Sequence, residues 1–409
     1  MLAIVFLFST IGGPEAAYIA LIFLLIGVPV AGPELLKAVR QNSAAVLFLG
    51  AFFLLTVATV ATASSPRDFG AIISFVPLLL AIPAIALFSS LSRDAAAVRV
   101  VSLALVGSMM AAAHGLYEVV IAGQARASGN FSAIFFADLG VLFGFVAAGG
   151  VLLQSRWRLI FVLGPLAGLA CALLADTRGA ILASIPLAAL LLVFWMAGTA
   201  KRGPMKVAGV LLLALVIAVS MIGSGRVPSV FQTITQVVTD GGADVSTNNR
   251  LRFYRAGLSS FLDAPLFGHG WTRRFTAAQE FMPPKFQNRP AGRHAHLHND
   301  LLNFASGAGI LGVAAYLLSV FAPLFAVWSS AVGPERRFWL YTASVASIGF
   351  GAMGLTDSMF VFEVPKVVFI VLSAMIVASA CTQRVGRWYE LFVRLPPAPA
   401  AAESDAAGR

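Results

Sequence analysis

The sequence is short of charge. Only 11% of its 409 residues are Asp, Glu, Lys or Arg, against about 25% in a soluble domain. That leaves too little polar surface to coat a soluble enzyme of this length. Cysteine is scarce as well. Cys171 and Cys381 are the only two, and both fall inside apolar runs, where cysteine acts as a small packing residue. This argues against a disulfide framework and against a cysteine-ligated metal. The opening Met1-Leu2-Ala3-Ile4 lacks the basic stretch of a secretory leader, so it reads as a first membrane element. No internal repeat is visible, unlike the inverted halves of many transporters. The net charge of +10 is spread over short connections and one long loop, a placement that does not suit nucleic acid.

What the sequence has in plenty is apolar length. It is 59% hydrophobic, with a mean hydropathy of +0.88. Apolar runs cover residues 1–11, 16–31, 44–62, 70–90, 98–121, 131–153, 159–175, 180–198, 207–223, 310–331, 338–355 and 364–381. Most have the length of a transmembrane helix, about 17–25 residues. The fold class is therefore an all-α polytopic membrane protein of about twelve spans. Basic residues mark every second connection: Lys37 and Arg40; Arg93 and Arg99; Arg156 and Arg158; Lys201, Arg202 and Lys206; Arg336 and Arg337; Arg384, Arg387 and Arg394. The alternate connections carry only Arg67 with Asp68, Arg126, and Asp176 with Arg178. By the positive-inside rule the basic set is cytoplasmic and the loop 224–297 lies outside. The expected organisation is an N-terminal bundle (1–223), a long external loop with short helices (224–297), C-terminal spans (298–382) and an Ala/Pro-rich disordered tail (383–409).

The long loop is arginine-rich, with Arg226, Arg250, Arg252, Arg255, Arg273, Arg274, Arg289, Arg293 and Lys285 against Asp240, Asp244, Asp263 and Glu280. Arginine grips phosphate and diphosphate through bidentate, permanently charged contacts. A solvated loop touching lipid headgroups is the alternative. Within it Leu251, Tyr254, Leu258, Phe261 and Leu262 recur at helical spacing, which predicts an amphipathic helix in the membrane interface. Asp263-Ala264-Pro265 ends it, and Gly268-His269-Gly270-Trp271 makes a tight turn.

Three of the five histidines, His294, His296 and His298, alternate just before an apolar run. A metal site, structural hydrogen bonding and proton transfer are the three readings. No neighbouring carboxylate or cysteine completes a metal-ligand spacing, so no metal and no cofactor is expected. The favoured role is acceptance of a proton from a sugar hydroxyl, with nearby arginines keeping the imidazole neutral. Inside the spans, His114 and Glu118 one turn apart, and Asp138, are ionisable groups at membrane depth. They are read equally as the lining of a vestibule and as a hydrogen-bonded structural cluster.

His298-Asn299 followed by Gly309-Ile310-Leu311-Gly312 resembles the His-Asn…Gly-x-x-Gly pattern of the O-antigen ligase and polymerase family of bacterial membrane glycosyltransferases. Arg250 through Tyr254, then Pro265-Leu266-Phe267-Gly268-His269-Gly270, is similar to the family's Arg-x-x-x-aromatic…Pro-Leu-x-Gly-x-Gly segment, with Tyr where Trp is common. Asp176-Thr177-Arg178-Gly179 resembles its Ser/Thr-Arg-Gly turn. The resemblance implies a GT-C-like enzyme of the bacterial inner membrane with its active site on the periplasmic face. It implies metal-independent transfer of a glycan from an undecaprenyl-diphosphate carrier to lipid A–core, or to a growing glycan in the polymerase alternative. Membrane lipids are the other partners, and a transporter or flippase is the distant alternative. Carried over by motif, Arg178, Arg250 and His298 are catalytic. Arg252, Arg255, Arg293, Asn299, His296 and His294 are read as substrate-binding helpers.

Overall fold

The computed structural model describes residues 2–89, 95–153, 156–197, 245–287, 296–331 and 333–381, with scattered positions between 211 and 235. The expected span at 207–223 is outside these but for isolated positions, and Arg293, His294 and the tail 383–409 are outside them altogether. Among the described residues the chain is helical, and its only β pairing is an isolated bridge between Ala331 and Cys381. Nine of the described helices are long and apolar enough to cross a membrane. They are α2 (Gly13–Val30), α4 (Ser43–Thr62), α5 (Pro66–Ser89), α6 (Ala96–Ile121), α7 (Ala133–Leu152), α9 (Arg178–Met196), α13 (Asp300–Ser330), α14 (Arg336–Thr356) and α15 (Glu363–Ala380). A shorter apolar helix, α8 (Arg158–Leu174), occupies the expected run at 159–175. The run at 1–11 yields only α1 (Leu2–Phe8), seven residues, or about 10 Å at 1.5 Å per residue, too short to cross alone. The remaining helices are α3 (Gly32–Gln41), α10 (Val245–Asp263), α11 (Arg274–Glu280) and α12 (Pro284–Gln287).

Small residues let the helices close up, as expected where lipid supplies no hydrophobic drive between them. α7 is buried almost all round and packs on α6 and α8. A Cβ added at Gly140 would stand 2.9 Å from the Cys171 sulfur, so Cys171 fills the gap that glycine leaves. Both cysteines are free.

The helix ends sort into two faces. At one, the Arg337 guanidinium on α14 donates to the Trp195 carbonyl on α9 at 3.3 Å, beside the basic connections. At the other, the starts of α7, α9, α13 and α15 meet the ends of α6, α8 and α14. There the Ala127 N–H donates to the Leu174 carbonyl, and Thr272 donates to Asp68 at 2.7 Å. The described part of the long loop, α10 to α12, lies across this second face.

Candidate functional site

α13 is two helices joined at a break. Gly309 has φ +61° and ψ −146° inside an otherwise helical run. The break frees backbone groups that a helix would have paired, and the segment after α10 takes them up. The His269 and Gly270 N–H groups donate to the Ser306 and Gly307 carbonyls at 2.9 and 3.1 Å, and the Ile310 N–H donates to the Pro265 carbonyl at 2.8 Å. This approach leaves no room for side chains at the crossing. A Cβ on Gly309 would meet the Leu266 backbone at 2.5 Å, and one on Gly268, at φ +68°, would meet the Ala308 nitrogen at 2.5 Å. The Pro-Leu-x-Gly-x-Gly and Gly-x-x-Gly stretches are thus two halves of one backbone joint.

The joint fixes α10 beside the start of α13, where Asn299 caps the helix. Its side-chain oxygen accepts from the Leu302 N–H and its amide donates to the Leu355 carbonyl, both at 3.0 Å. Tyr254 donates from α10 to the same Leu355 carbonyl at 3.0 Å and to the His298 carbonyl at 3.1 Å. Burial pushes the Tyr254 phenol up to about 12, so it remains a donor at neutral pH. His298 itself is held at φ +50°, a left-handed conformation that costs a non-glycine residue about 1–3 kcal/mol.

Within this frame His298 is surrounded on three sides. Its ring lies parallel to Phe253 at 5.8 Å between centroids and 4.2 Å from His296. Its Nδ1 is 3.4 Å from the Asp357 carboxylate, which turns Nε2 to the far side of the ring. Asp357 follows the end of α14, and its other oxygen is 3.9 Å from the Arg250 guanidinium. Burial raises the Asp357 carboxyl, but His298, the charge of His296 and the Ser358 N–H outweigh it and hold the group below the usual carboxylate range. An ionised carboxylate behind a histidine fixes its tautomer and stabilises the imidazolium formed when it takes a proton.

Beyond His298 opens a cavity of about 370 Å³, a size within the range of small-molecule sites. Arg250, Asn249 and Phe253 of α10 form one wall. Arg178, with Asp176 and Thr177, forms another, and Arg126 a third. Arg178 is the first residue of α9, and the positive end of that helix's dipole also favours an anion. Gly179 lets the end of α14 approach, since a Cβ there would be 2.8 Å from the Thr356 hydroxyl. Arg126 lies on the α6–α7 connection. Glu118 holds that connection by accepting from the Ser128 and Gly129 N–H groups at 2.8 and 3.1 Å. Glu118 is also 3.8 Å from His114, so the structural reading fits this pair.

The structure therefore brings Arg178, Arg250 and His298 to one cavity. It puts the other described candidates elsewhere. His296 is buried behind His298, its Nδ1 3.0 Å from the Ser358 hydroxyl and accepting from the His298 N–H at 3.3 Å. Asn299 has both polar ends on backbone. Arg252 stacks over Phe286 at 4.1 Å and donates to Asn249 at 3.0 Å, which braces a wall residue. Arg255 is exposed and is not part of the cavity lining. Arg293 and His294 are outside the described residues. Asp138, expected at membrane depth, is fully buried with neither carboxylate oxygen hydrogen-bonded among the described residues. It lies one turn beyond the cavity-lining Ile134.

Arg126 and Asp357 were not singled out by sequence reasoning. The available signal was an isolated charge in a short connection on the sparsely charged side. Asp357 also supplies the carboxylate that the histidine run lacks: His296, His298 and Asp357 offer three ligand atoms within 4.8 Å of one another. A cation there would face Arg250 at close range and compete with the partners of the His296 Nδ1, which weighs against it.

No curated protein matches the chain. Residues 163–317 match the family model for O-antigen ligase, a stretch that includes Arg178, Arg250, Tyr254, the 265–270 segment, His298 and Gly309 but neither Arg126 nor Asp357. The segment that supplies most of the cavity is similar to the O-antigen ligase family, and the chain around it is an all-α, multi-pass membrane protein.

Proposed function

We propose that the cavity is the reaction centre of a metal-independent glycosyltransferase that moves a glycan from an undecaprenyl-diphosphate carrier to a sugar hydroxyl, O-antigen ligation to lipid A–core being the favoured reaction. The observation that carries this reading is the convergence of Arg178, Arg250 and His298, from three distant stretches, on one cavity. The family match supports an O-antigen ligase-like role in lipopolysaccharide biosynthesis. Placement of the cavity at the end of the bundle away from the basic connections supports a periplasmic site in the inner membrane.

In the proposed step the acceptor hydroxyl oxygen attacks the anomeric carbon. The bond from that carbon to the diphosphate oxygen breaks, and its electron pair leaves with the lipid diphosphate. His298 Nε2 takes the hydroxyl proton while Asp357 balances the imidazolium. Arg178 and Arg250, with Arg126 as a third cation, neutralise the charge growing on the diphosphate. Removing one such contact costs about 10²–10³ in rate. Arg252 and Asn299 act through the residues they brace.

The test is transfer by purified, reconstituted protein in the presence of EDTA. The donor is undecaprenyl-diphosphate-linked glycan, and the acceptor is either lipid A–core or a second carrier-linked repeat. Product on lipid A–core supports ligation, and a lengthened carrier-linked chain supports polymerisation. Activity lost to EDTA and restored by zinc would overturn the metal-free step and put His296, His298 and Asp357 forward as ligands. No product with either acceptor from folded protein would sink the glycosyltransferase reading.

A further inference from the structure

α10 has two opposite faces. One carries Asn249, Arg250 and Phe253 into the cavity. The other carries Leu258 and Leu262, one turn apart and 51% and 67% exposed. Arg255 flanks them, three residues before Leu258, and is also exposed.

This apolar stripe is continuous with surface that the spans present to lipid. The segment after α10 exposes Leu266 and Phe267, and through the Pro265–Ile310 hydrogen bond it abuts Ile310. Ile310, Leu317 and Phe321 are exposed apolar residues at spacings of seven and four, one face of the α13 span. At the other end of the stripe, Tyr254 bonds the carbonyl of Leu355, itself an exposed apolar residue closing the α14 span.

Those two attachments settle the level of α10. From Ile310 to the end of α13 there are 21 residues, about 31 Å of helix, which matches the hydrocarbon thickness. Ile310 therefore marks the edge of the hydrocarbon on the cavity side, and Leu355 marks the same edge on α14. A helix touching both lies along that edge, close to the membrane plane.

We propose that the Leu258–Leu262 face of α10, continued by Leu266, Phe267 and Ile310, is seated in the leaflet on the cavity side, against lipid acyl chains, with Arg255 at headgroup level. α10 then separates hydrocarbon from cavity. A lipid-linked diphosphate reaches Arg250 without its chain leaving the membrane, a consequence that rests on the proposed reaction, whereas the seating does not.

The experiment uses the full chain with Cys171→Ala and Cys381→Ala, reconstituted in phosphatidylcholine–phosphatidylglycerol vesicles. Single nitroxide labels are placed at Leu258→Cys, Leu262→Cys and, as a water-facing reference, Glu280→Cys. Collisions with oxygen, which concentrates in hydrocarbon, are compared with collisions with a water-soluble nickel chelate. Leu258 and Leu262 should favour oxygen several-fold, and Glu280 the chelate. A label at Leu262 as open to the chelate as Glu280 would overturn the proposal, because the face would be in water. Shielding from both reagents would also overturn it, because protein would cover the face. Leu262→Trp with brominated-chain lipids repeats the readout in the native cysteine background. Quenching of the added fluorescence supports seating, and its absence refutes it. Neither readout depends on transfer activity, so the seating and the reaction can fail separately.

Discussion

In the proposed reaction, Asp357 is the residue on which the role of His298 turns. Its carboxylate is nearly buried, 3.4 Å from the imidazole and 3.9 Å from Arg250. Asp357→Asn keeps the shape and removes the charge that stabilises the imidazolium. Turnover in the reconstituted assay should fall by about 10²–10⁴, the usual worth of a positioned acid–base group, with the donor KM little changed. Because the folded carboxyl titrates below its usual range, its stabilising contribution is complete above the ordinary carboxylate pKa of about 4 and is lost as the pH falls through the depressed value. The melting-temperature gap between wild type and Asp357→Asn should therefore be widest near neutral pH and close on acidification. Tyr254 has a different duty. Its hydroxyl bridges the His298 and Leu355 carbonyls, and with a phenol titrating near 12 it does so across the working pH range. Tyr254→Phe should cost about 1–2 kcal/mol of stability by denaturation and lower turnover without moving the pH optimum. An unchanged melting temperature would show that the two bonds do not hold the junction.

At the scale of elements, the broken α13 and its docked 265–270 segment are the device that places α10. Two glycines at positive φ accept backbone where any side chain would collide. Gly309→Ala combines a left-handed strain of about 1–3 kcal/mol with a 2.5 Å clash worth a similar amount. We expect a large fall in melting temperature and loss of transfer together, even though residue 309 touches no part of the cavity. Gly333, also at positive φ, has nothing within 4 Å of an added Cβ. Gly333→Ala should therefore be much milder, and equal damage from both substitutions would mean that φ strain alone, and not the docking, matters.

At the scale of the molecule, the cavity and the described basic connections lie at opposite ends of the bundle. Asn249→Cys beside the cavity, in a background lacking the native cysteines, should react with a membrane-impermeant maleimide added outside, while Arg336→Cys at the start of α14 should react only once the cytoplasmic face is opened, as in inverted membrane vesicles. Labelling of both from the same side would refute the orientation on which the periplasmic site rests.

Much of this was legible in the sequence. The apolar runs anticipated eight of the nine described spans within a few residues, while α13 starts ten residues before its run, and the histidine, arginine and glycine stretches held the three residues that meet at the cavity. Membrane insertion is close to a sum over the residues of one segment, so local composition is enough to define spans and their direction. Alternation made His294, His296 and His298 look like equals, yet His296 is buried on Ser358 while His298 turns to the cavity. What only the tertiary structure decided is which helix ends meet. Asp357 and Arg126 join the site from connections far along the chain, Arg255 faces away from it, and a single glycine breaks α13. Each depends on how helices approach one another across dozens or hundreds of residues, and no local pattern encodes that distance.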